Sequence, residues 1–376
     1  MRFTEMTLQS DPIVSVVMSV FNGERFLREA IDSILSQTFR DFEFIVINDG
    51  STDGTASILE SYAKSDARVR VYYQESKGLI ESLNRGCSLA QGKYIARMDA
   101  DDIAVKDRLM CQVTFMEEHP EVGVLGGAVE YVDATGKLLL TSYLPSEDSD
   151  IRSVLLCDVP FAHPTVLIRK EIFRSVGGYR RAFQDAEDFD LWLRIAERCK
   201  LANLKAVVLK YRIHPEQVSC RKLRQQVLSV LAARAVASSK KDGSTNSLSS
   251  INQVTATVLA ELGVSETTQQ RALFAAYQSW VNRMSEAHQD SAALSLAMEM
   301  LRSSRWQHIE RRAIADSWLR AARLYWGQGR FFQGLLSTGH AVVTRPAVAG
   351  RPVKRLLLWL GTAFRAGRGP HVAGTA

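Results

Sequence analysis

A chain of 376 residues that is 46% hydrophobic and 23% charged has the make-up of an ordinary globular protein, long enough for two domains. No apolar run nears the roughly 18 residues of a spanning helix, and the first residues lack a signal peptide's basic-then-apolar layout. The net charge of +6 is unevenly placed: from Ser317 onward there are nine Lys or Arg and no Asp or Glu, leaving 38 basic against 41 acidic residues before it. The basic charge therefore belongs to the tail, and no nucleic-acid partner is expected. Five scattered cysteines (Cys87, Cys111, Cys157, Cys199, Cys220) show neither metal spacing nor a disulfide framework, as expected of a reducing cytoplasm.

The first half alternates strand and helix signals. The apolar, β-branched run Ile13–Val20 predicts a strand buried on both faces. Phe26, Leu27, Ala30, Ile31, Ile34 and Leu35 then recur at helical spacing. Phe42–Asn48 is a second strand, and "DGSTDGT" turns into a helix over Ala56–Ala63. Arg68–Tyr73 and Leu79–Ala90 form the next strand and helix, and Lys93–Met98 is a fourth strand. This order predicts a doubly wound, mostly parallel sheet with right-handed crossovers.

Ligands bind such sheets beyond the carboxyl ends of the strands. Asn22, Asp49, Asp99 and Asp101 all fall there. In "ARMDADD", the carboxylates of Asp99, Asp101 and Asp102 read either as a solvated turn capping the next helix or as a seat for a divalent cation carrying a phosphorylated ligand. The delivery of polar residues by several strands to one edge favours the cation. No Gly-x-Gly-x-x-Gly follows the first strand, which disfavours a dinucleotide dehydrogenase.

The stretches "SVVMSVFNGERFLREAIDSILSQTF", "FEFIVINDGSTDGT" and "GLIESLNRGCSLAQGKYIARMDADD" stand in order, followed by "FAHPTVLIRKEIFRSVGGYRRAF", "AEDFDLWLRI" and "YRIHPEQVS". Over residues 12–220 the chain resembles the family-two nucleotide-sugar glycosyltransferases with the A-type (GT-A) fold, of the bacterial surface-polysaccharide kind. The resemblance implies an inverting hexosyl transfer from a nucleoside-diphosphate sugar, a UDP-sugar first, to a hydroxyl of a glycan or lipid-linked acceptor. It implies Mn2+ or Mg2+ as cofactor, neutralising the diphosphate as the anomeric bond breaks.

By the same resemblance Asp101 binds the metal through its Asp-x-Asp motif, Asp99 touches the ribose, the sugar or the metal, and Asp102 orders the loop or contacts the sugar. Asp49 faces the base beside Phe21 and Asn22, although an Asx turn explains it too. Ala100 belongs to the same donor loop, and Asn84 and Arg85 could reach the donor, Arg85 reading equally as a solvated helix face. Asp188 becomes the general base, with Glu187 its rival and the helix dipole the bland alternative. His214 is a further metal ligand, with Tyr211 and Arg212 near the diphosphate. His163 lines the sugar or acceptor side, or simply marks a loop corner at Pro164. No Gln-x-x-Arg-Trp motif is present, so single-sugar transfer is favoured over processive synthesis. The competing readings are a nucleotidyltransferase and a non-catalytic nucleotide-sugar-binding scaffold.

The expected organisation is a catalytic domain over 1–225, a helical region over 226–350 with a polar linker near 238–250, and a basic amphipathic tail over 351–376. Helices are expected over Ala292–Leu301 and Ala313–Trp326, and the stretch from Trp318 resembles a tetratricopeptide helix pair, which would serve partner binding or self-association, or equally be an extra helical layer packed against the catalytic domain. In the tail, Val353, Leu356, Leu357, Leu360 and Phe364 share one face and Arg351, Lys354, Arg355 and Arg365 the other, with Trp359 at the border. That pattern suits an anionic membrane surface or a docked terminal helix. The lipid-linked acceptors of the family tilt the choice toward the membrane, with a cytoplasmic enzyme peripheral on the inner face.

Overall fold

The computed structural model describes residues 11–156, 158–217, 221–241, 254–303 and 306–349. They fall into two compact units, Met1–Ser265 and Glu266–Ala376.

In the first unit β1 (Val14–Val20), α1 (Leu27–Leu35), β2 (Phe42–Asp49), α2 (Thr55–Ser65), β3 (Val69–Gln74), α3 (Leu79–Leu89) and β4 (Tyr94–Met98) alternate as the hydrophobic periods predict. β2 and β4 are buried at every position, because helices cover both faces of this part of the sheet. α1 turns Leu27, Ala30, Ile31 and Ile34 onto the sheet.

Beyond β4 the chain adds β5 (Ile103–Ala104), α4 (Arg108–Glu118), β6 (Val122–Val132), β7 (Leu138–Ser142), α5 (Asp148–Leu155), β8 (Leu167–Arg169), α6 (Lys170–Ser175), α7 (Glu187–Ile195) and β9 (Lys200–Arg212). The sheet order is β3-β2-β1-β4-β8-β6-β9-β5, with β7 on β6. The β3-β2-β1-β4 part is parallel. β8 then runs antiparallel to both β4 and β6, while β9 runs parallel to β6. The result is a mixed, mostly parallel sheet, as the resemblance noted in the sequence implies. β9 is long enough to end beside the β4–β5 turn, and that brings the carboxyl ends of β4 and β9 together. α8 (Leu223–Lys241) and α9 (Ala256–Glu261) follow, so residues 238–241 of the expected linker are helical and 242–250 lie outside the described residues.

The second unit contains α10 (Glu266–Glu286), α11 (Asp290–Ser303), α12 (Arg311–Gly327) and α13 (Phe331–Thr344), each packed on the next. α11 and α12 contain the two helices expected from the sequence. α12 and α13 close on one another through Ala315, Leu319 and Ala341, with Trp318 stacked on His340 at 4.5 Å. The tail 351–376 lies outside the described residues. Among those described, no helix is long and apolar enough to cross a membrane.

Candidate active site

The acidic turn begins where β4 ends. Ligand atoms of Asp99, Asp101 and Asp102 lie within 4.8 Å of one another. Burial and the charge of Asp101 and Asp99 push the Asp102 carboxyl well above the usual carboxylate range, and its Oδ2 is buried without a hydrogen-bond partner. Asp99 is also raised by burial, opposed by its ion pair with Arg97. Such a group of carboxylates is short of positive charge, which is the condition a divalent cation relieves.

The end of β9 supplies the rest of this pocket. His214 places Nε2 2.8 Å from Asp101 Oδ2, with its ring 5.1 Å from that of Phe26. The Arg212 backbone N–H donates to Asp102 Oδ1 at 2.9 Å, and its Nε donates to the Asp101 carbonyl at 2.9 Å. The Arg212 guanidinium lies over Phe26 at 4.5 Å and donates to Glu29 Oε2 at 2.5 Å. Oxygen and imidazole donors converging in this way fit Mn2+ well; Mg2+ would rely on the oxygens. The residues that would hold the ion are Asp101 and His214, with Asp99.

The residues expected on the nucleotide side are organised by the turns after β1 and β2. Asn22 adopts φ 52°, a left-handed conformation asparagine tolerates, and its Oδ1 accepts from Thr52 N at 2.8 Å. Phe21 beside it is exposed. The turn after β2 is held by Asn48, whose Oδ1 accepts from Ser51 N, three residues on, at 3.0 Å. Asp49 instead ties down the β3–α3 loop: its oxygens accept from Lys77 N at 2.8 Å, Gly78 N at 2.9 Å and Gln74 Nε2 at 2.7 Å. Arg85 donates to Gln74 Oε1 at 2.9 Å and the Tyr73 carbonyl at 3.0 Å, so Arg85, Gln74 and Asp49 form one chain. Ala100 is half-buried between the acids and packs on the core.

Asn84 has a specific structural partner. Its Nδ2 donates to the Tyr179 carbonyl at 2.9 Å and its Oδ1 accepts from Tyr179 N at 3.0 Å. Gly177 and Gly178 precede that residue at φ 78° and 68°, and a Cβ on Gly178 would meet Asn84 Oδ1 at 2.8 Å. The clamped Tyr179 directs its hydroxyl to His163 Nε2 at 2.8 Å. Burial and the nearby Arg97 hold the His163 imidazole well below its ordinary range, so it is neutral.

The second acidic group opens α7. Asp190 is committed to structure, paired with Arg180 and, at 2.8 Å, with Arg194. Glu187 is buried, and desolvation together with Asp188 pushes its carboxyl up to about 8. Asp188 is half-buried and also raised by burial, with Arg97 opposing, and its Oδ1 accepts from Phe189 N at 2.7 Å. Arg97 itself is buried in β4, with Nε lacking a hydrogen bond. Its charge acts on Asp99, Asp102, Glu187 and Asp188 alike. The two acidic groups, nearly ninety residues apart in sequence, thus lie in the field of one buried guanidinium.

The predicted residues accordingly fall into three sets: Asp99, Asp101, Asp102 and His214; Glu187, Asp188 and His163, joined to the first by Arg97; and Asn22 after β1, Asp49 at the end of β2 and Arg85 within α3. Arg97 was not anticipated. A charged residue inside "YIARM", a strand otherwise reading as buried, was the available signal for Arg97.

Glycosyl transferase family 2 matches residues 15–177, which include the β1, β2 and β4 turns just described. The O-antigen biosynthesis glycosyltransferase WbnJ of Escherichia coli is 34% identical over 213 residues, covering 56% of this chain and 83% of WbnJ. The chain belongs to glycosyltransferase family 2. The amylovoran biosynthesis glycosyltransferase AmsE of Erwinia amylovora is 33% identical over 212 residues, 55% of this chain and 79% of AmsE. In fold, this family 2 glycosyltransferase is similar to residues 1–349 of S. aureus TarS, solved with UDP-GlcNAc, at TM-score 0.50 and 16% identity over 87% of this chain and 90% of that one.

Proposed function

We propose that this enzyme is an inverting, metal-dependent transferase that moves one sugar from a nucleoside-diphosphate sugar, UDP-linked in the first instance, to a hydroxyl of a glycan or lipid-linked acceptor in surface-polysaccharide assembly. The O-antigen and amylovoran roles carried in the names of WbnJ and AmsE support the pathway class. The observation that carries the reaction is the pair of acidic groups around Arg97: one suited to a cation and diphosphate, the other to a proton.

Asp188 accepts the proton of the acceptor hydroxyl as that oxygen attacks the anomeric carbon. The bond from that carbon to the diphosphate oxygen breaks, the configuration inverts, and the nucleoside diphosphate leaves with the bonding electrons. Glu187, further buried and holding its proton to about pH 8, is the poorer base and keeps the site from carrying a second full charge. His163, neutral, and Tyr179 shape the acceptor side. Mn2+ or Mg2+ on Asp101, His214 and Asp99 would supply Lewis-acid neutralisation of the departing diphosphate. The enzyme works at the inner face of the cytoplasmic membrane, with the basic tail 351–376 contributing attraction to anionic lipid.

A panel of nucleotide sugars with Mn2+ and a glycan acceptor tests this reading. Nucleoside diphosphate should be released and the product anomer inverted relative to the donor, by NMR. Turnover should vanish in chelator and in Asp101→Ala. Pyrophosphate release would indicate a nucleotidyltransferase instead, and binding without turnover a scaffold.

A further inference from the structure

The final described helix, α13, carries its large apolar residues on the outside. Its buried face consists of Gly334, Ser337 and Ala341. Phe332, Leu335, Leu336 and Val343 stand 70, 60, 52 and 82% exposed. At 100° per residue these four fall on one stripe directly opposite the small residues. The inversion is built into the packing against α12, since a Cβ on Gly334 would lie 2.0 Å from Trp326 Nε1. A larger residue there would have to displace the Trp326 indole, and with that side chain in place the apolar bulk of α13 faces outward.

Charge selects among the occupants of such a stripe. Arg330 and Arg345 bracket it, and from Ser317 to Ala376 there are nine basic residues and no acid. A second copy would present the same uncompensated positive charge. The terminal segment of the chain, carrying Arg351, Lys354, Arg355, Arg365 and Arg368, offers α13 no counter-charge either. An anionic lipid surface offers both an apolar layer for the stripe and negative charge for the arginines. We infer that the outward face of α13 is a membrane-docking surface for an anionic bilayer. This rests on the helix and on the basic charge of residues 317–376, and is independent of the transferase reading.

Flotation of the full chain with phosphatidylcholine vesicles, with and without phosphatidylglycerol, tests the assignment. Phe332→Gln combined with Leu336→Gln replaces two exposed side chains, so circular dichroism and thermal melting should match wild type. Wild type should float with the phosphatidylglycerol vesicles, less so at high salt, and the double variant should partition at least about tenfold more weakly. Equal flotation of both proteins, or none by wild type, would overturn the inference. A concentration-dependent dimer in light scattering that the double variant dissolves, without flotation, would overturn it in favour of self-association. Donor turnover measured in parallel keeps either result separate from the enzymatic reading.

Discussion

Arg97 is the residue on which the electrostatics of the site turn. Its guanidinium is buried, pairs with Asp99 and lowers the carboxyls of Glu187 and Asp188 against the desolvation that raises them. Arg97→Met keeps the length of the side chain and removes the charge. The Asp188 carboxyl, already raised, should rise further, so the acid limb of kcat/KM against pH should move to higher pH as the base needs more alkaline solution to ionise. A pH–rate profile checks this, and an unmoved limb would exclude Arg97 from the environment of the base. At this scale the acids were legible in the sequence because Asp and Glu at a strand end or helix start advertise themselves. Arg97 was not, because its partners on α7 lie some ninety residues away and only the sheet brings them together.

Among the elements, the Asn84 clamp joins α3 to the loop that follows α6. Two hydrogen bonds satisfy both backbone polar groups of Tyr179, whose side chain is buried and holds His163. Asn84→Ala leaves a buried N–H and C=O without partners, which should cost about 1–3 kcal/mol in urea denaturation and raise KM for the acceptor more than for the donor. A loss confined to donor binding would return Asn84 to the nucleotide side. The β1–β4 elements were readable because period-2 and period-3.6 patterns alternate there without interruption. β6, β8 and β9 were not: β8 has three residues, β6 and β9 carry register shifts, and β8 reverses the parallel run. Strand order past β4 depends on pairing between distant segments, which local periodicity does not encode.

For the molecule as a whole, the expected catalytic domain ends at residue 225, whereas the first compact unit runs to Ser265 and takes in α8 and α9. The apolar stripe of α13 escaped sequence reading because "FFQGLLSTGHAVV" looks like an ordinary amphipathic helix until Trp326 is seen to occupy its inner side. The central claim is that one sheet edge carries both a donor and cation seat and a separate base. The most direct measurement is Asp188→Asn, with donor affinity by calorimetry in Mn2+ and sugar transfer determined on the same preparation. Donor affinity should stay within about twofold while transfer falls by about 10²–10⁴-fold, because the amide keeps the shape of the carboxylate and cannot take the proton. Parallel collapse of donor binding and transfer, or transfer at the wild-type rate, would contradict the account.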